Sequence, residues 1–458
     1  MNIYEQSTIA AVSTPLGMGG ISVIRISGKD SVTIADRVFV SVSGKKLSSM
    51  KGYTAAYGKV FNDGELIDEA VATVFLSPNS YTGENVVELS CHGGMYVTSQ
   101  VLRAVLDHGA VTAEPGEFTK RAFLNGKIDL TESEAVMDII SAKGRAAARS
   151  AIGIKEGRLR REIDEVKASL IDSAAHLCAW ADYPEEDIPE VSEKSLGESL
   201  QKASDKLDLL LKRYDIGKSV KEGIDTIIVG KPNVGKSTLM NFLSGSEKSI
   251  VTDIPGTTRD IIEETVVLGN AVLRLSDTAG LRDTDNPIEK IGVDRAKKRL
   301  ESCGLVLAVF DASRSLDDDD HSMLDLIGEA PSVAVINKSD LDSVIDVAYI
   351  KSKVNDVVYI SAVTGDGIDD LIAAVERITG TAEFDENAAV LSTERQRECT
   401  VRAKAALEEA LFGLNSGITL DAVTVSIDEA IQALLELTGE RVGEVVVHSV
   451  FSKFCVGK

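Results

Sequence analysis

The sequence predicts a multidomain α/β plus α protein: an N-terminal α/β domain, a discontinuous helical domain, and a doubly wound phosphate-loop domain inserted within the helices. Three observations carry that prediction. A strand-like run at residues 226–229 feeds directly into Gly230-Lys231-Pro232-Asn233-Val234-Gly235-Lys236-Ser237 in mid-chain. Helical periodicity flanks that unit, at residues 131–180 and 195–223 before it and at 391–412 and 427–437 after it. The first 118 residues instead alternate short strand-like runs with glycine-marked turns.

Taken in order, residues 1–118 form the N-terminal domain, with strands expected at 8–12, 21–26 and 70–75. One helix, residues 97–107, follows Gly93-Gly94. Residues 119–223 make the first part of the helical domain, 224–378 the inserted domain, and 379–458 the second helical part. Helices on both sides carry apolar faces that need a partner, and packing on each other is the simplest answer. An insertion is tolerated because domain termini often lie close together. The acidic connector around Glu383-Phe384-Asp385-Glu386-Asn387 marks the return to helix. The aspartates at 317–320 are expected on an exposed loop rather than at a metal.

Chemistry concentrates in the inserted domain. The glycines of the first loop let backbone N–H groups close around phosphates, and the following helix points its positive end at the same anion. This loop supplies Asn233, Val234, Gly235, Lys236, Ser237 and Thr238; Lys236 can reach β/γ oxygens and Ser237 suits Mg²⁺. Downstream stand Thr257-Thr258, then Asp277-Thr278-Ala279-Gly280, then Asn337-Lys338-Ser339-Asp340, then Ser361-Ala362. Thr258 can add a second oxygen to Mg²⁺, and Asp277 can hold the metal directly or through water. The Asp340 carboxylate can accept from the N1–H and exocyclic amine of guanine, donors that adenine lacks. These elements in this order point to a Ras-like domain that binds and hydrolyses GTP.

One absence matters. The position after Asp277-Thr278-Ala279-Gly280 is Leu281, which can neither orient a water nor accept its proton. Glu289 at the start of the next helix is a candidate for that task, although acidic residues also favour helix starts for dipole reasons. Arg259 and Arg282 are nearby cations, equally readable as surface charge.

Composition bounds the rest. The 458 residues carry 49 Lys and Arg against 72 Asp and Glu, a net charge of −23 that disfavours indiscriminate nucleic-acid binding. A local exception would be the helical stretch with Arg145, Arg149, Lys155, Arg158, Arg160 and Arg161, whose alternative reading is a solvated helix face. Cys91, Cys178, Cys303, Cys399 and Cys455 form neither a metal nor a disulfide framework. No apolar stretch approaches the roughly 20 residues that span a bilayer, and the N-terminus lacks a signal-peptide pattern. The expectation is a soluble, cytoplasmic chain without a membrane partner.

Several blocks resemble the MnmE (TrmE) family of bacterial tRNA-modification GTPases. They are Thr8-Ile9-Ala10-Ala11 with Gly19-Gly20 and Arg25-Ile26-Ser27-Gly28, then Tyr81-Thr82-Gly83-Glu84 with Glu88, then Cys91-His92-Gly93-Gly94, then Pro115-Gly116-Glu117-Phe118-Thr119-Lys120-Arg121-Ala122-Phe123-Leu124-Asn125-Gly126-Lys127, the switch Thr257-Thr258-Arg259-Asp260, and the closing Phe454-Cys455-Val456-Gly457-Lys458. The switch segment Thr252-Asp253-Ile254-Pro255-Gly256-Thr257-Thr258 joins the nucleotide set by the same resemblance. It further implies K⁺ held by Asn233, Thr252, Ile254 and Thr257, hydrolysis on dimerisation of the GTPase domains, and Glu289 as the water-positioning acid beside Asp277 and Lys236. In the N-terminal domain it implies a homodimer and a 5-formyl-tetrahydrofolate or related one-carbon folate met by Arg25, Glu88, Lys127 and Lys458. Cys455 becomes a possible reactive thiol, with ordinary tail packing as the alternative. The implied activity is modification at C5 of the wobble uridine (U34) of certain tRNAs, with the FAD-dependent partner MnmG. The competing readings are a ribosome-assembly GTPase switch and a folate-responsive regulatory GTPase.

Overall fold

The computed structural model describes residues 7–182, 192–245, 264–275, 300 and 303–458. The chain divides into two compact units, residues 1–137 with 432–458 and residues 138–431.

The first unit is built on seven strands: β1 (Ile9–Val12), β2 (Ile21–Ser27), β3 (Phe39–Ser41), β4 (Thr54–Asn62), β5 (Glu65–Phe75), β6 (Val86–His92) and β7 (Val111–Thr112). They lie in the order β3-β4-β5-β6-β2-β1-β7, antiparallel throughout except for the β1–β7 pair. Alternation along β2 sends Ile24 and Ile26 inward, where Ala72, Val74, Val87 and Leu89 share their face. Two helices cover that face, α1 (Ser31–Val38) through Ile34 and Val38, and α2 (Met95–Asp107) through Val101 and Val105. A third, α3 (Glu117–Leu124), carries the fully buried Phe118.

The end of the chain belongs to this unit. The last helix, Glu444–Phe451, buries Val447, Val450 and Phe451 with Phe454, Leu130 and Val136. Beyond it the tail docks residue by residue. Gly116 N–H donates to the Cys455 carbonyl at 3.3 Å, Phe118 N–H to the Lys458 carbonyl at 3.2 Å, and Ser13 Oγ to the Gly457 carbonyl at 3.1 Å. Gly457 has φ +95°, and a Cβ there would lie 2.3 Å from the Val12 carbonyl oxygen.

The second unit begins within α4 (Leu130–Ser141) and continues through α5 (Arg145–Lys155), α6 (Arg158–Asp182) and α7 (Glu193–Glu222). The stretch read as one helical pattern is thus three helices, because Gly144 is extended and Gly157 has φ +79°. Next come β8 (Ile224–Val229), α8 (Lys236–Gly245), β9 (Glu264–Leu268), β10 (Ala271–Leu275), β11 (Leu305–Asp311), α9 (Asp318–Ile327), β12 (Ser332–Asn337), α10 (Val347–Lys351), β13 (Asp356–Tyr359) and α11 (Ile368–Thr379). The strand order is β13-β12-β11-β8-β10-β9, parallel except for the β9–β10 hairpin. Every residue of β11 is buried, as expected for a central parallel strand covered on both faces. Leu305, Leu307 and Val309 enter one core, and Val306, Ala308 and Phe310 the other. Strand order reverses at β8, so the loop leaving its carboxyl end opens at the crevice where doubly wound sheets bind ligands.

Helix returns in α12 (Glu394–Asn415) and α13 (Leu420–Thr438). α12 packs along α7, on the other side of the sheet in sequence. Lys404 Nζ meets Asp208 Oδ1 at 2.7 Å, and Tyr214 OH donates to Glu394 Oε2 at 2.8 Å.

One expectation is corrected. The aspartates at 317–320 are exposed at 317–319 as expected but start a helix rather than lying on a loop: Asp317 is the N-cap of α9, its side chain accepting from Asp319 and Asp320 N–H, while Asp320 completes a capping box and is buried. Carboxylates there answer the helix's orphan donors and its dipole.

Gly457→Ala should cost about 2 kcal/mol of tail docking, a roughly 30-fold larger undocked population. Carboxypeptidase release of the last residues from the native chain should quicken accordingly; an unchanged rate would show that the tail shifts without strain.

Candidate functional site

β8 ends on Val229, and the backbone then turns through three left-handed or near left-handed positions before α8 begins at Lys236: Gly230 (φ +147°), Asn233 (φ +67°) and Gly235 (φ +96°). A Cβ on Gly230 would strike the Val309 carbonyl at 2.4 Å, and one on Gly235 would meet Asn337 Nδ2 at 2.2 Å. The Lys236 ammonium lies inside this turn, donating to the Gly230 carbonyl and, at 2.6 Å, to the Lys231 carbonyl. Ser237 and Thr238 follow in the first turn of α8, exposed, at the positive end of its dipole. A loop with small residues where side chains would collide, a lysine within it and a helix start behind it can cradle a polyphosphate.

The carboxyl ends of β12 and β13 close onto this loop. Asn337, buried at the end of β12, donates from Nδ2 to the Val234 carbonyl at 2.9 Å and accepts from Ala362 N–H on Oδ1 at 3.1 Å. Lys338 (φ +61°) donates from Nζ to the Asn233 carbonyl at 3.2 Å and pairs with Asp311. Ser339 N–H reaches the Ile360 carbonyl at 3.0 Å, and Asp340 stands exposed beside it. Ser361 is buried, its Oγ accepting from Thr364 N–H at 3.3 Å. The structure therefore brings Asn233, Val234, Gly235, Lys236, Asn337, Lys338, Ser361 and Ala362 to one edge of the sheet. Thr252, Asp253, Ile254, Pro255, Gly256, Thr257, Thr258, Asp277, Thr278, Ala279, Gly280, Leu281 and Glu289 lie outside the described residues.

Asp311 was absent from the sequence reading. It ends β11, buried, with Oδ1 accepting from Ser313 N–H at 3.0 Å and from Ser313 Oγ at 2.7 Å. Burial alone would push its carboxyl up; the bonds from Lys338 and Ser313 outweigh that and hold it below the usual carboxylate range. The available signal was a charged residue closing an otherwise apolar strand.

A second constellation forms in the first unit. Arg25 on β2 faces Glu88 on β6 across the ladder, with Nε 2.8 Å from Oε1. Its guanidinium lies 5.3 Å from the Tyr81 ring centre and 5.5 Å from that of Phe118, and donates to the Gly457 carbonyl at 3.3 Å. Lys458 is drawn into the same group. Burial lowers its ammonium, the Arg25 charge lowers it further, and Glu88 and Cys455 oppose the shift. Cys455 is exposed. Lys127 stands apart from these contacts, exposed, donating to the Pro78 carbonyl at 3.1 Å.

In the basic stretch Arg145 and Lys155 are exposed, while four other cations meet groups of the chain itself. Arg149 pairs with Glu386, and Arg158 donates to the Glu386 carbonyl at 2.9 Å. Arg160 lies 3.5 Å from Asp164, and Arg161 donates to the Glu156 carbonyl at 2.8 Å. Among the described residues no cluster of His, Cys, Asp or Glu has the make-up of a metal site, and no helix is long and apolar enough to cross a membrane.

Against known proteins, residues 8–127 match the family model described as GTP-binding protein TrmE N-terminus, and residues 130–455 match that of the MnmE helical domain. The tRNA modification GTPase MnmE of Acetivibrio thermocellus is 41% identical over 461 residues, covering 100% of both chains. Its namesake from Bacillus licheniformis is 40% identical over 458 residues, covering 98% of this chain and 100% of its own. That of Lactobacillus acidophilus is 40% identical over 460 residues, covering 100% and 99% respectively.

Gly235→Ala should displace the Asn337 amide and weaken GDP binding by about 100-fold. Titration with a fluorescent GDP analogue measures it, and wild-type affinity would mean that Asn337 relocates without consequence.

Proposed function

This chain belongs to the MnmE family of tRNA modification GTPases, and on that premise we propose that it is a K⁺-dependent GTPase that modifies C5 of the wobble uridine (U34) of certain tRNAs. The reading includes an FAD-dependent partner, MnmG, a one-carbon tetrahydrofolate, and a homodimer formed through the N-terminal domain. GTP hydrolysis on approach of two GTPase domains would drive the cycle.

The observation that most supports it is the docked tail. Lys458, next to Arg25 and Glu88, ends a segment that also carries an exposed Cys455. A pterin edge offers an amide and an exocyclic amine, donors suited to the Glu88 carboxylate, while Arg25 and Lys458 suit a ring carbonyl or glutamate tail. The flanking Tyr81 and Phe118 rings fit a flat heterocycle. The folate, when bound, supplies the one-carbon unit; the residues here bind and orient it. Lys127, expected in the same set, would join through the segment bearing Pro78.

At the nucleotide, Asp340 reads the guanine edge and Lys236 neutralises charge on the β/γ oxygens. Ser237 and Thr258 would hold Mg²⁺ with Asp277 behind them, and Glu289 would position the attacking water. Asn233 is exposed and held in a left-handed turn, so its amide oxygen can face a cation without rearranging the loop. The set Asn233, Thr252, Ile254 and Thr257 is all oxygen-bearing, as a hard monovalent cation requires. A cation held there would supply the positive charge that an arginine finger supplies elsewhere.

Mass spectrometry of tRNA nucleosides from cells lacking the chain tests the assignment. C5-aminomethyl-type wobble uridines should disappear and return with the intact gene but not with Asp277→Ala; an unchanged profile would sink the reading. GTP turnover should be at least about tenfold faster in K⁺ than in Na⁺, and equal rates in the two salts would remove the cation assignment alone.

A further inference from the structure

The geometry points to Asp311 as a positioning residue for the nucleotide site: through Lys338 it holds the backbone of Asn233, and so ties the phosphate loop to the guanine-reading loop. This rests on the nucleotide reading above. Asp311 occupies the end of β11, the strand that pairs with both β8 and β12, and the two loops leave from those neighbours. Its carboxylate is itself fixed, by the two Ser313 bonds on Oδ1, and its Oδ2 is turned to the Lys338 ammonium. The same ammonium donates to the Asn233 carbonyl at 3.2 Å. One charge thus organises a chain of contacts from β11 across the loop after β12 to the loop after β8.

Both linked residues hold left-handed backbone, a conformation that Asn tolerates locally and Lys adopts less readily. Their φ values are +67° and +61°, the larger cost falling on Lys338. Such conformations persist only where surrounding contacts over-determine them. For Asn233 the described contact is the ammonium on its carbonyl, and the ammonium is oriented by Asp311. Neutralising Asp311 would release Lys338 to other rotamers and Asn233 to a relaxed backbone. The Asn233 side chain, carried on that backbone, would then lose the fixed position that holding the proposed cation requires. Asn337 supplies a second tie, to Val234, so the loop loosens at one residue rather than collapsing.

A double-mutant cycle on the full-length chain tests this, with Asp311→Asn, Lys338→Met and the double variant. Each single variant should weaken a fluorescent GDP analogue by about tenfold, with the double variant no worse than the weaker single one because both break the same chain. The K⁺ concentration giving half-maximal GTP turnover should rise severalfold in Asp311→Asn, a change that mere destabilisation would not produce. Ser313→Ala, which keeps the Asp311 charge and removes one of its bonds, should move both quantities partway, and it serves if Asp311→Asn folds poorly. Wild-type GDP affinity in Asp311→Asn, or in Ser313→Ala if that is the variant measured, would overturn the proposal, as would fully additive losses in the double variant. If the wild-type enzyme ignores K⁺, the cation assignment fails while the GDP cycle still decides the role of Asp311.

Discussion

The buried side-chain amide of Asn337 is the interaction on which the candidate nucleotide site depends. A single planar group donates to the Val234 carbonyl and accepts from Ala362 N–H, joining loops that follow β8, β12 and β13. The parallel sheet delivers those three loops to one edge, but nothing in sheet geometry fixes their spacing. Asn337 does. No other side chain of similar size offers a donor and an acceptor in that fork, and an apolar one would leave two backbone groups unpaired at a cost of about 1–3 kcal/mol each. Its position dictates the loop's composition in turn: residue 235 must be glycine because Nδ2 occupies the space of a Cβ.

The first unit has its own keystone in the guanidinium of Arg25. Two aromatic rings flank it, a carboxylate pairs with it, and the tail's Gly457 carbonyl accepts from it. A cation so placed serves two ends. It neutralises Glu88 in a partly buried strand pair, and it anchors the last turn of chain, where burial first and the Arg25 charge second lower the Lys458 ammonium. The tail is thus a component of the N-terminal sheet domain although more than 300 residues of sequence separate them.

The phosphate and guanine loops were legible because their chemistry requires particular residues at fixed offsets, and glycine in particular where backbones cross. Strands such as β2 were legible because one face is buried and the other is not, which writes an alternation into Ile21–Ser27. β4 hid for the opposite reason: its first four residues are exposed or half-buried, so no alternation distinguishes them from a loop. The pairing of Arg25 with Glu88 depends on the β2–β6 register, which periodicity within either strand cannot supply. Asp311 was missed because its role exists only through Lys338, a tertiary contact 27 residues away. Asp317, read as part of an acidic loop, shows that a run of like charge can be a helix cap when backbone donors await it.

Charge accounting carries one step further. With a net charge of −23, the chain could grip RNA only through local cation clusters, each neutralising a phosphate and releasing counterions. The most basic helical stretch offers one small cluster of this kind, part of it already engaged. Arg149 and Arg158 would have to leave Glu386, and Arg161 the Glu156 carbonyl, before meeting a phosphate. Such exposed pairs are worth only about 0–1 kcal/mol each, so giving them up subtracts a modest amount from any gain at a phosphate, and the exposed Arg145 and Lys155 add to what the stretch can offer. An acidic chain with so small a basic cluster is suited to sharing the tRNA backbone with a second, cationic surface. The present chain would then contribute the nucleotide switch and the tail with its thiol and amine rather than the main hold on the substrate.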